Sequence, residues 1–87
     1  MVIEYFNAGA APDIYRRFRE RGRQLPPGLD YVDSWIDHDF FRCYQLMRTD
    51  DRALLDVWFK AWDDLIHFEV VPVRTSAEAS KHLADRG

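Results

Sequence analysis

The stretch LDYVDSWIDHDFFRCYQLMRT, from Leu29 to Thr49, alternates apolar and polar residues on both sides of a short central segment. This alternation predicts two β-strands folded back on each other, about Leu29–Asp37 and Phe41–Thr49, joined through His38–Phe40. The central segment contains neither Asn-Gly nor Asp-Gly, so we do not assign a tight primed turn. Each strand would carry one apolar face and one mixed face, and a mixed face lines either a pocket or an interface.

The residues before this stretch predict a strand and a helix. Met1–Asn7 alternates and is rich in β-branched and aromatic residues, which is typical of a strand. Pro12 suits the first turn of a helix. The roughly helical spacing of Ile14, Phe18 and Leu25, with Tyr15 beside them, then predicts a first helix from about Pro12 to Gln24. The segment Pro26–Gly28 ends this helix firmly.

The residues after the stretch predict a helix, a strand and a second, short helix. Asp50 or Asp51 can cap the first of these helices. Its apolar stripe consists of Leu54, Leu55, Trp58, Ala61, Trp62 and Leu65. The fourth strand is expected over Ile66–Arg74, at an edge or a bulge, because Pro72 cannot donate to a ladder. A capping-box pattern then predicts a short third helix over about Ser76–Ala84.

This order predicts an α+β fold. A ferredoxin-like βαββαβ unit has a four-stranded antiparallel sheet in the order 4-1-3-2, with both helices on one face. Residues 1–74 would form this domain, and residues 75–87 a C-terminal helix and tail. Two such sheets placed face to face would make a dimeric α+β barrel. The residues predicted to face the helices are Ile3, Tyr5, Val32, Ser34, Ile36, Tyr44, Leu46, Phe68 and Val70.

The opposite face of the predicted sheet carries the candidate site. Glu4, Asp33 and Glu69 each fall near the middle of a strand, and we expect them to stand level with Gln45 inside the barrel. Carboxyl groups removed from water have raised pKa values or pair with a donor, and a carboxyl with a raised pKa can act as a general acid or base. The three carboxyls are therefore the candidate catalytic groups. The candidate ligand-binding residues are Phe6, Tyr31, Trp35, Cys43, Gln45 and Met47.

Composition favours a homodimer. A domain of 87 residues has a thin core, whereas 47% of the residues are hydrophobic and 15% are aromatic. A symmetric dimer is the usual way to cover such a surface. The net charge of −3 argues against nucleic acid and anionic membranes as partners. The single cysteine and the absence of a recognisable leader predict a cytoplasmic location, and no apolar run is long enough to span a membrane.

Three other features of the sequence are weaker candidates for a functional site. Cys43 as a nucleophile would need a nearby base, so a half-buried inert thiol is favoured. The histidines lack ligand spacing, and we expect no metal and no cofactor. The nearest approach to a donor set is Glu4, Glu69 and His67. The first helix contains Arg16, Arg17, Arg19, Arg21 and Arg23. With acidic residues elsewhere, a solvated face or a contact for Asp63 and Asp64 is favoured over an RNA-binding surface.

Five segments of the chain resemble segments of a known protein family. They are Tyr15–Gly22, Leu29–Trp35, Arg42–Met47, Trp62–Leu65 and Phe68–Val73. In these pieces, which extend over nearly the whole length, the chain resembles a bacterial family of short proteins catalogued as a domain of unknown function. That family is similar to the dimeric α+β barrel superfamily, which includes small monooxygenases, muconolactone isomerases and stress-response barrel proteins. The resemblance implies the fold but no site residue, because those proteins use different residues on one scaffold.

Two functions follow as hypotheses. The first is a cytoplasmic homodimer that binds a small, partly apolar molecule inside the barrel, with isomerase- or monooxygenase-like acid/base chemistry as one form of its activity. The alternative is a non-catalytic assembly module whose mixed sheet face is only the dimer interface. The alternative predicts no cavity, and loss of the dimer when Trp35 or Met47 becomes charged.

Overall fold

The computed structural model of this protein describes residues 1–86. Within them the chain forms an α+β fold of four strands and three helices. In chain order these elements are β1 Val2–Phe6, α1 Ala11–Arg21, β2 Asp30–Ile36, β3 Arg42–Arg48, α2 Ala53–Phe59, β4 Ile66–Val70 and α3 Ser76–Arg86. None of the helices in this part of the chain is long and apolar enough to cross a membrane.

The four strands form one sheet in the order β2-β3-β1-β4, with every neighbouring pair antiparallel. Read from the β4 edge, these neighbours are 4-1-3-2. The helices α1 and α2 cover one side of the sheet, since a single apolar cluster joins strand residues to helix residues. The buried members of this cluster are Val2, Ala10, Ile14, Leu29, Leu55, Trp58, Trp62 and Ile66.

Helix α1 ends earlier than its apolar spacing predicts. Gly22 has a φ of 66° and lies outside the helix, and its N–H donates to the Phe18 carbonyl at 2.8 Å. The positive φ favours glycine at this position, just after the last helical residue. Arg23 and Gln24 therefore belong to the loop that leads to Pro26, rather than to the helix.

Helix α2 covers only the first part of its predicted stripe. It ends at Phe59, and the chain continues to Leu65 in successive tight turns, with N–H donors reaching carbonyls three residues back. The buried positions continue through these turns, so Trp62 joins Leu55 and Trp58 in the core. The predicted role of Asp51 at the helix start is confirmed, since its Oδ1 accepts from the Ala53 N–H at 2.9 Å.

The faces predicted for β1 and β3 are wrong. The helix-facing side of the sheet consists of Val2, Glu4, Phe6, Tyr31, Ser34, Ile36, Cys43, Gln45, Met47, Ile66, Phe68 and Val70. The predicted positions of Ile3, Tyr5, Tyr44 and Leu46 are therefore reversed. The reason is that β1 is apolar on both faces, so alternation alone could not select the buried one. In β4, Phe68 and Val70 face the helices as predicted.

An irregularity in β2 shifts its alternation. Tyr31 stands opposite Met47, whereas Asp33 stands opposite Leu46, so Val32 is an extra residue in this strand. As a result, Tyr31 and Ser34 lie on the same side, and their hydroxyl groups are 2.6 Å apart. Val32 is 48% exposed and does not face the helices. This irregularity is a β-bulge, which displaces the alternation by one residue.

The chain beyond β4 lies at the surface. β4 ends at Val70 rather than at Arg74, although the Val71 N–H still donates to the Met1 carbonyl at 2.8 Å. The start of α3 matches the predicted cap, because Thr75 Oγ1 accepts from the Glu78 N–H at 3.0 Å. Leu83, the largest apolar residue of this helix, is 66% exposed.

Candidate functional site

A cavity of about 190 Å³ lies between the helix-facing side of the sheet and the helices α1 and α2. Its apolar walls are formed by Phe6, Ile14, Phe18, Ile36, Trp58, Trp62 and Ile66. Its polar lining consists of Glu4, Tyr15, Arg23, Ser34, Cys43 and Gln45. An apolar pocket with a few convergent polar groups is the usual form of a small-molecule site.

The strand register brings the polar groups of the sheet together. Glu4 on β1 stands opposite Cys43 on β3, and Val2 stands opposite Gln45. Ser34 on β2 is in turn the partner of Gln45. Because directly opposite residues of an antiparallel pair share a face, these side chains lie side by side on the floor of the cavity.

Glu4 is a buried acid. The residue is only 5% exposed, and this burial raises the pKa of its carboxyl from 4.5 to about 7. The neighbouring Gln45 and Cys43 side chains and the charge of Arg23 favour the carboxylate, but they only partly offset the burial. The carboxyl therefore changes its protonation state near neutral pH, which is the range that suits a general acid or base.

Cys43 is not an activated nucleophile. Burial, followed by the charge of Glu4 and a hydrogen bond to it, raises the pKa of the Cys43 thiol to about 12. The thiolate is the reactive form of cysteine, so this environment makes the side chain inert near neutral pH. The structure thus places Cys43 in the cavity wall as a neutral group beside Glu4.

Two polar atoms of the cavity lining have no protein partner. Gln45 Oε1 and Arg23 Nε are buried, and neither makes a hydrogen bond within the described part of the chain. Buried polar groups without partners cost free energy, and a small rotation of either side chain toward the cavity would let a bound molecule supply the missing bonds. Gln45 offers an acceptor and Arg23 a donor, so the cavity is suited to a molecule that carries both types of polar group.

The structure separates the three predicted carboxyls. Only Glu4 reaches the cavity. Glu69 lies on the opposite side of the sheet, where its Oε1 accepts from the Tyr5 hydroxyl at 2.6 Å. Asp33 also lies off the helix-facing side, and its Oδ1 accepts from the Ser34 N–H at 2.8 Å. The expected level group of Glu4, Asp33, Gln45 and Glu69 is therefore wrong, because the predicted faces of β1 and β3 were reversed.

Some of the predicted ligand-binding residues line the cavity, and others do not. Phe6, Cys43 and Gln45 line the cavity, and Trp35 borders it while remaining 52% exposed. The side chains of Tyr31 and Met47 lie on the helix-facing side without lining it. His67 is opposite Tyr5, on the other side of the sheet from Glu4, so the suggested donor set does not assemble. No group of three or more potential metal-binding side chains comes together in residues 1–86.

Arg23 is the member of the site that the sequence pattern missed. It was grouped with the arginines of the first helix, but it follows Gly22 and lines the cavity. The signal in the sequence is Gly22 itself, since a glycine near a helix end followed by a Pro-Pro-Gly turn places the intervening residues in a loop. The aromatic residues Tyr15 and Phe18 were likewise assigned only to the helix stripe.

Two other arginines of α1 bind acidic partners. The guanidinium of Arg17 donates to both carboxylate oxygens of Asp64 at 2.8 Å and to the Ala61 carbonyl at 2.9 Å. Arg16 lies 2.8 Å from the Asp13 carboxylate. The predicted contact between the basic helix and Asp64 is confirmed, and these pairs leave less of the helix charge available for a phosphate backbone.

Comparisons with known proteins place the chain in a family. Searches of curated proteins and of solved structures gave no match. The model of one protein family matches residues 1–87, and its description is domain of unknown function DUF3303. The chain belongs to the family of the domain of unknown function DUF3303.

Proposed function

We propose that this protein binds a small, partly apolar molecule in the cavity between its sheet and its helices. The observation that carries the proposal is the unpartnered pair of Gln45 Oε1 and Arg23 Nε at an aromatic-lined cavity. This location differs from the barrel interior expected from the sequence, because Glu4 and Gln45 face the helices. The cavity remains a candidate site whether or not a second copy covers the other side of the sheet.

We further propose that Glu4 supplies acid/base chemistry to the bound molecule. Its carboxyl lines the cavity, and at neutral pH both the protonated and the ionised form are populated. One such group is enough for an isomerase-like reaction, in which it gives a proton to one atom of the ligand and takes one from another. Cys43 and Gln45 flank the carboxyl as neutral neighbours that can orient a ligand.

The size of the cavity supports a ligand of about one ring. An engineered apolar cavity of about 150 Å³ holds benzene, and pockets for drug-sized molecules span about 300–1,000 Å³. The cavity of about 190 Å³ lies between these sizes, close to the smaller one. A substituted single ring or a compact branched molecule therefore fits best.

Phenol is a suitable first probe, because it combines one ring with a hydroxyl group. At ten times its Kd, phenol would stabilise the protein by about 1.4 kcal/mol and raise Tm by roughly 6–10 °C. The variant Ile36→Phe fills part of the cavity and should lose this shift. Leu46→Phe enlarges an apolar residue on the opposite side of the sheet and should keep it. No shift for the unmodified protein, or an undiminished shift for Ile36→Phe, would contradict the proposal.

A second proposal concerns the opposite side of the sheet, which none of the helices in residues 1–86 covers. Its apolar residues, which we call the outer face, are Ile3, Tyr5, Val32, Trp35, Tyr44 and Leu46. Val32 and Trp35 are 48% and 52% exposed. We propose that two ferredoxin-like copies pack their outer faces together as a dimeric α+β barrel, in keeping with the resemblance and with the large apolar share of so small a domain. If the protein is a non-catalytic assembly module, its function depends on the outer face alone.

Sedimentation velocity tests this second proposal. Leu46→Glu puts a charge on the outer face and should convert a dimer into a monomer. Val57→Glu is the matched control, because Val57 is 53% exposed on α2 and lies away from the sheet. A monomeric unmodified protein, or a Leu46→Glu variant that remains dimeric, would contradict the barrel.

The free thiol of Cys43 supports a cytoplasmic location, which we propose on that ground.

A further inference from the structure

The loop after α1 holds Arg23 in a fixed position at the cavity. The indole N–H groups of Trp58 and Trp62 both donate to the Arg23 carbonyl, at 2.9 and 3.0 Å. The next residue, Gln24, has a φ of 61°, a left-handed conformation that non-glycine residues seldom adopt. Two hydrogen bonds on one carbonyl therefore hold a strained loop against α2 and the turns that follow it, and they fix the backbone from which the Arg23 side chain extends.

The guanidinium of Arg23 lies close to two aromatic rings. Its Cζ atom is 3.5 Å from the centroid of the Tyr31 ring and 5.0 Å from that of Phe18. The Tyr31 ring is itself held by the contact between its hydroxyl and Ser34 Oγ. The two rings attract the cation and keep water from the part of the guanidinium that they cover, and its N–H groups can still form hydrogen bonds.

The charge of Arg23 has no anionic partner in the protein. Among the ion pairs of residues 1–86, none involves Arg23, and its buried Nε makes no hydrogen bond there. Glu4 is the acid that lines the same cavity, and it is protonated in part at neutral pH. The cavity thus contains a half-buried cation. Its neighbouring acid, Glu4, is only partly ionised at neutral pH and so balances the charge only in part, and such a cation favours an anionic ligand.

We infer that the ligands of this cavity are small monocarboxylates with an apolar body of about one ring, bound with the carboxylate on Arg23 and with uptake of a proton by Glu4. A carboxylate matches the planar donors of arginine, and the apolar body matches the aromatic walls. This inference rests on the proposed function, because it names the ligand class of the same cavity. A ligand with several charges would leave some of them unpaired among apolar side chains.

Proton uptake follows from the groups that face Glu4. A bound carboxylate beside Glu4 disfavours a second negative charge, so the protonated acid is the form that binds. Cys43 faces Glu4 from β3 and Tyr15 from α1, and both have raised pKa values that keep them neutral between pH 6 and 8. Trp58 from α2, Trp62 from the turns after it and Ile66 from β4 carry no titratable group. Glu4 is thus the group that takes up the proton.

Titration calorimetry with benzoate and with benzyl alcohol tests the inference. The two probes have similar ring bodies, but only benzoate is an anion. Benzoate should bind roughly tenfold or more tightly at pH 7. Its affinity should fall above pH 7, by at most about tenfold for each pH unit. The measured heat should differ between phosphate and Tris buffers in proportion to the protons taken up, which is about half a proton per benzoate at pH 7 and close to one at pH 8.

Two variants separate the roles. Arg23→Gln keeps the backbone carbonyl that the indoles bind, and it should remove most of the preference for benzoate. Glu4→Gln should abolish the buffer dependence of the heat. Equal affinity for the two probes, or a heat for the unmodified protein that is independent of buffer, would overturn the inference while phenol binding still supports the cavity. If phenol also fails to bind, the proposed function itself fails.

Discussion

The carboxyl of Glu4 and the thiol of Cys43 stand opposite each other on β1 and β3, on the side of the sheet that the helices cover. Both are removed from water, and burial raises both pKa values. The effects are unequal, because the Glu4 pKa reaches about 7 whereas that of Cys43 reaches about 12. Between pH 5 and 9 only the acid of this pair changes its charge.

The first prediction concerns the reactivity of Cys43. With its pKa at about 12, the thiol should react with iodoacetamide at pH 8 roughly a thousandfold more slowly than a free cysteine, whose pKa is about 8.5. Glu4→Gln should accelerate the reaction, because the neighbouring negative charge is removed. Mass spectrometry follows the alkylation, with the urea-unfolded protein as the control for a freely reactive thiol. Alkylation of the native protein at the unfolded rate would contradict the burial of this pair.

The second prediction concerns stability and pH. The folded-state pKa of Glu4 is raised, so its contribution to stability is fully present below about pH 4.5 and is lost as the pH rises to about 7. A shift from 4.5 to about 7 corresponds to about 3 kcal/mol as an upper estimate. In Glu4→Gln this loss is absent, so the stability of the variant relative to the unmodified protein should increase between pH 4.5 and 7.

Urea unfolding at several pH values measures this difference. The matched control is Glu69→Gln, which removes a carboxyl from the exposed, opposite side of the sheet. This control should retain the pH-dependent loss that Glu4 causes. A constant difference between Glu4→Gln and the unmodified protein from pH 4.5 to 8 would show that Glu4 ionises without cost.

The third prediction compares two arginines of α1. Arg17 binds both oxygens of Asp64 and also the Ala61 carbonyl, whereas Arg16 makes a single exposed pair with Asp13. Lysine cannot reproduce the fork of bonds, so Arg17→Lys should cost about 0.5–1 kcal/mol. Arg16→Lys should stay within about 0.3 kcal/mol. Urea unfolding at low and at high salt measures both, and equal costs would mean that the Asp64 contact contributes no more than a surface pair.

The fourth prediction concerns the turn before β2. Gly28 has a φ of 93°, and a Cβ added there would lie 3.0 Å from Leu54 Cδ1. Gly9 has a φ of 74°, but a Cβ there would meet no atom within 4 Å. Gly9→Ala should therefore cost about 1 kcal/mol from the backbone alone, and Gly28→Ala about 2 kcal/mol. Thermal unfolding of the two variants tests this ranking. A smaller loss of stability for Gly28→Ala than for Gly9→Ala would contradict it.

Periodicity predicted the order and type of every element within the described residues. Alternation located the strands because each has apolar residues on at least one face, and helical spacing placed Leu55, Trp58 and Trp62 on one stripe. Element ends were less accurate. The helix α1 stops at Gly22 and β4 stops before Pro72, where local backbone chemistry overrides the apolar pattern.

The candidate site was predicted only in part, and the reason is physical. β1 reads Val-Ile-Glu-Tyr-Phe, so either face could be buried. Because Glu4 lies at the centre of the strand, the face that carries it was predicted to point away from the helices. The extra residue Val32 in β2 further disturbed the alternation. The position of Arg23 depends on hydrogen bonds from the indoles of Trp58 and Trp62, which no spacing in the sequence reveals. Glu4, Cys43 and Gln45 were found because their shared face does not depend on which side the helices cover.

The ¹³C signal of the Glu4 carboxyl, assigned with Glu4→Gln and followed by NMR from pH 3 to 9, is the most direct test of the proposed site. If Glu4 faces an apolar cavity beneath the helices, the midpoint of its titration lies near its raised pKa of about 7. Addition of benzoate should then move this midpoint upward. A midpoint near 4.5, unchanged by benzoate, would mean that the carboxyl is in contact with water and that the cavity does not serve as an acid/base site.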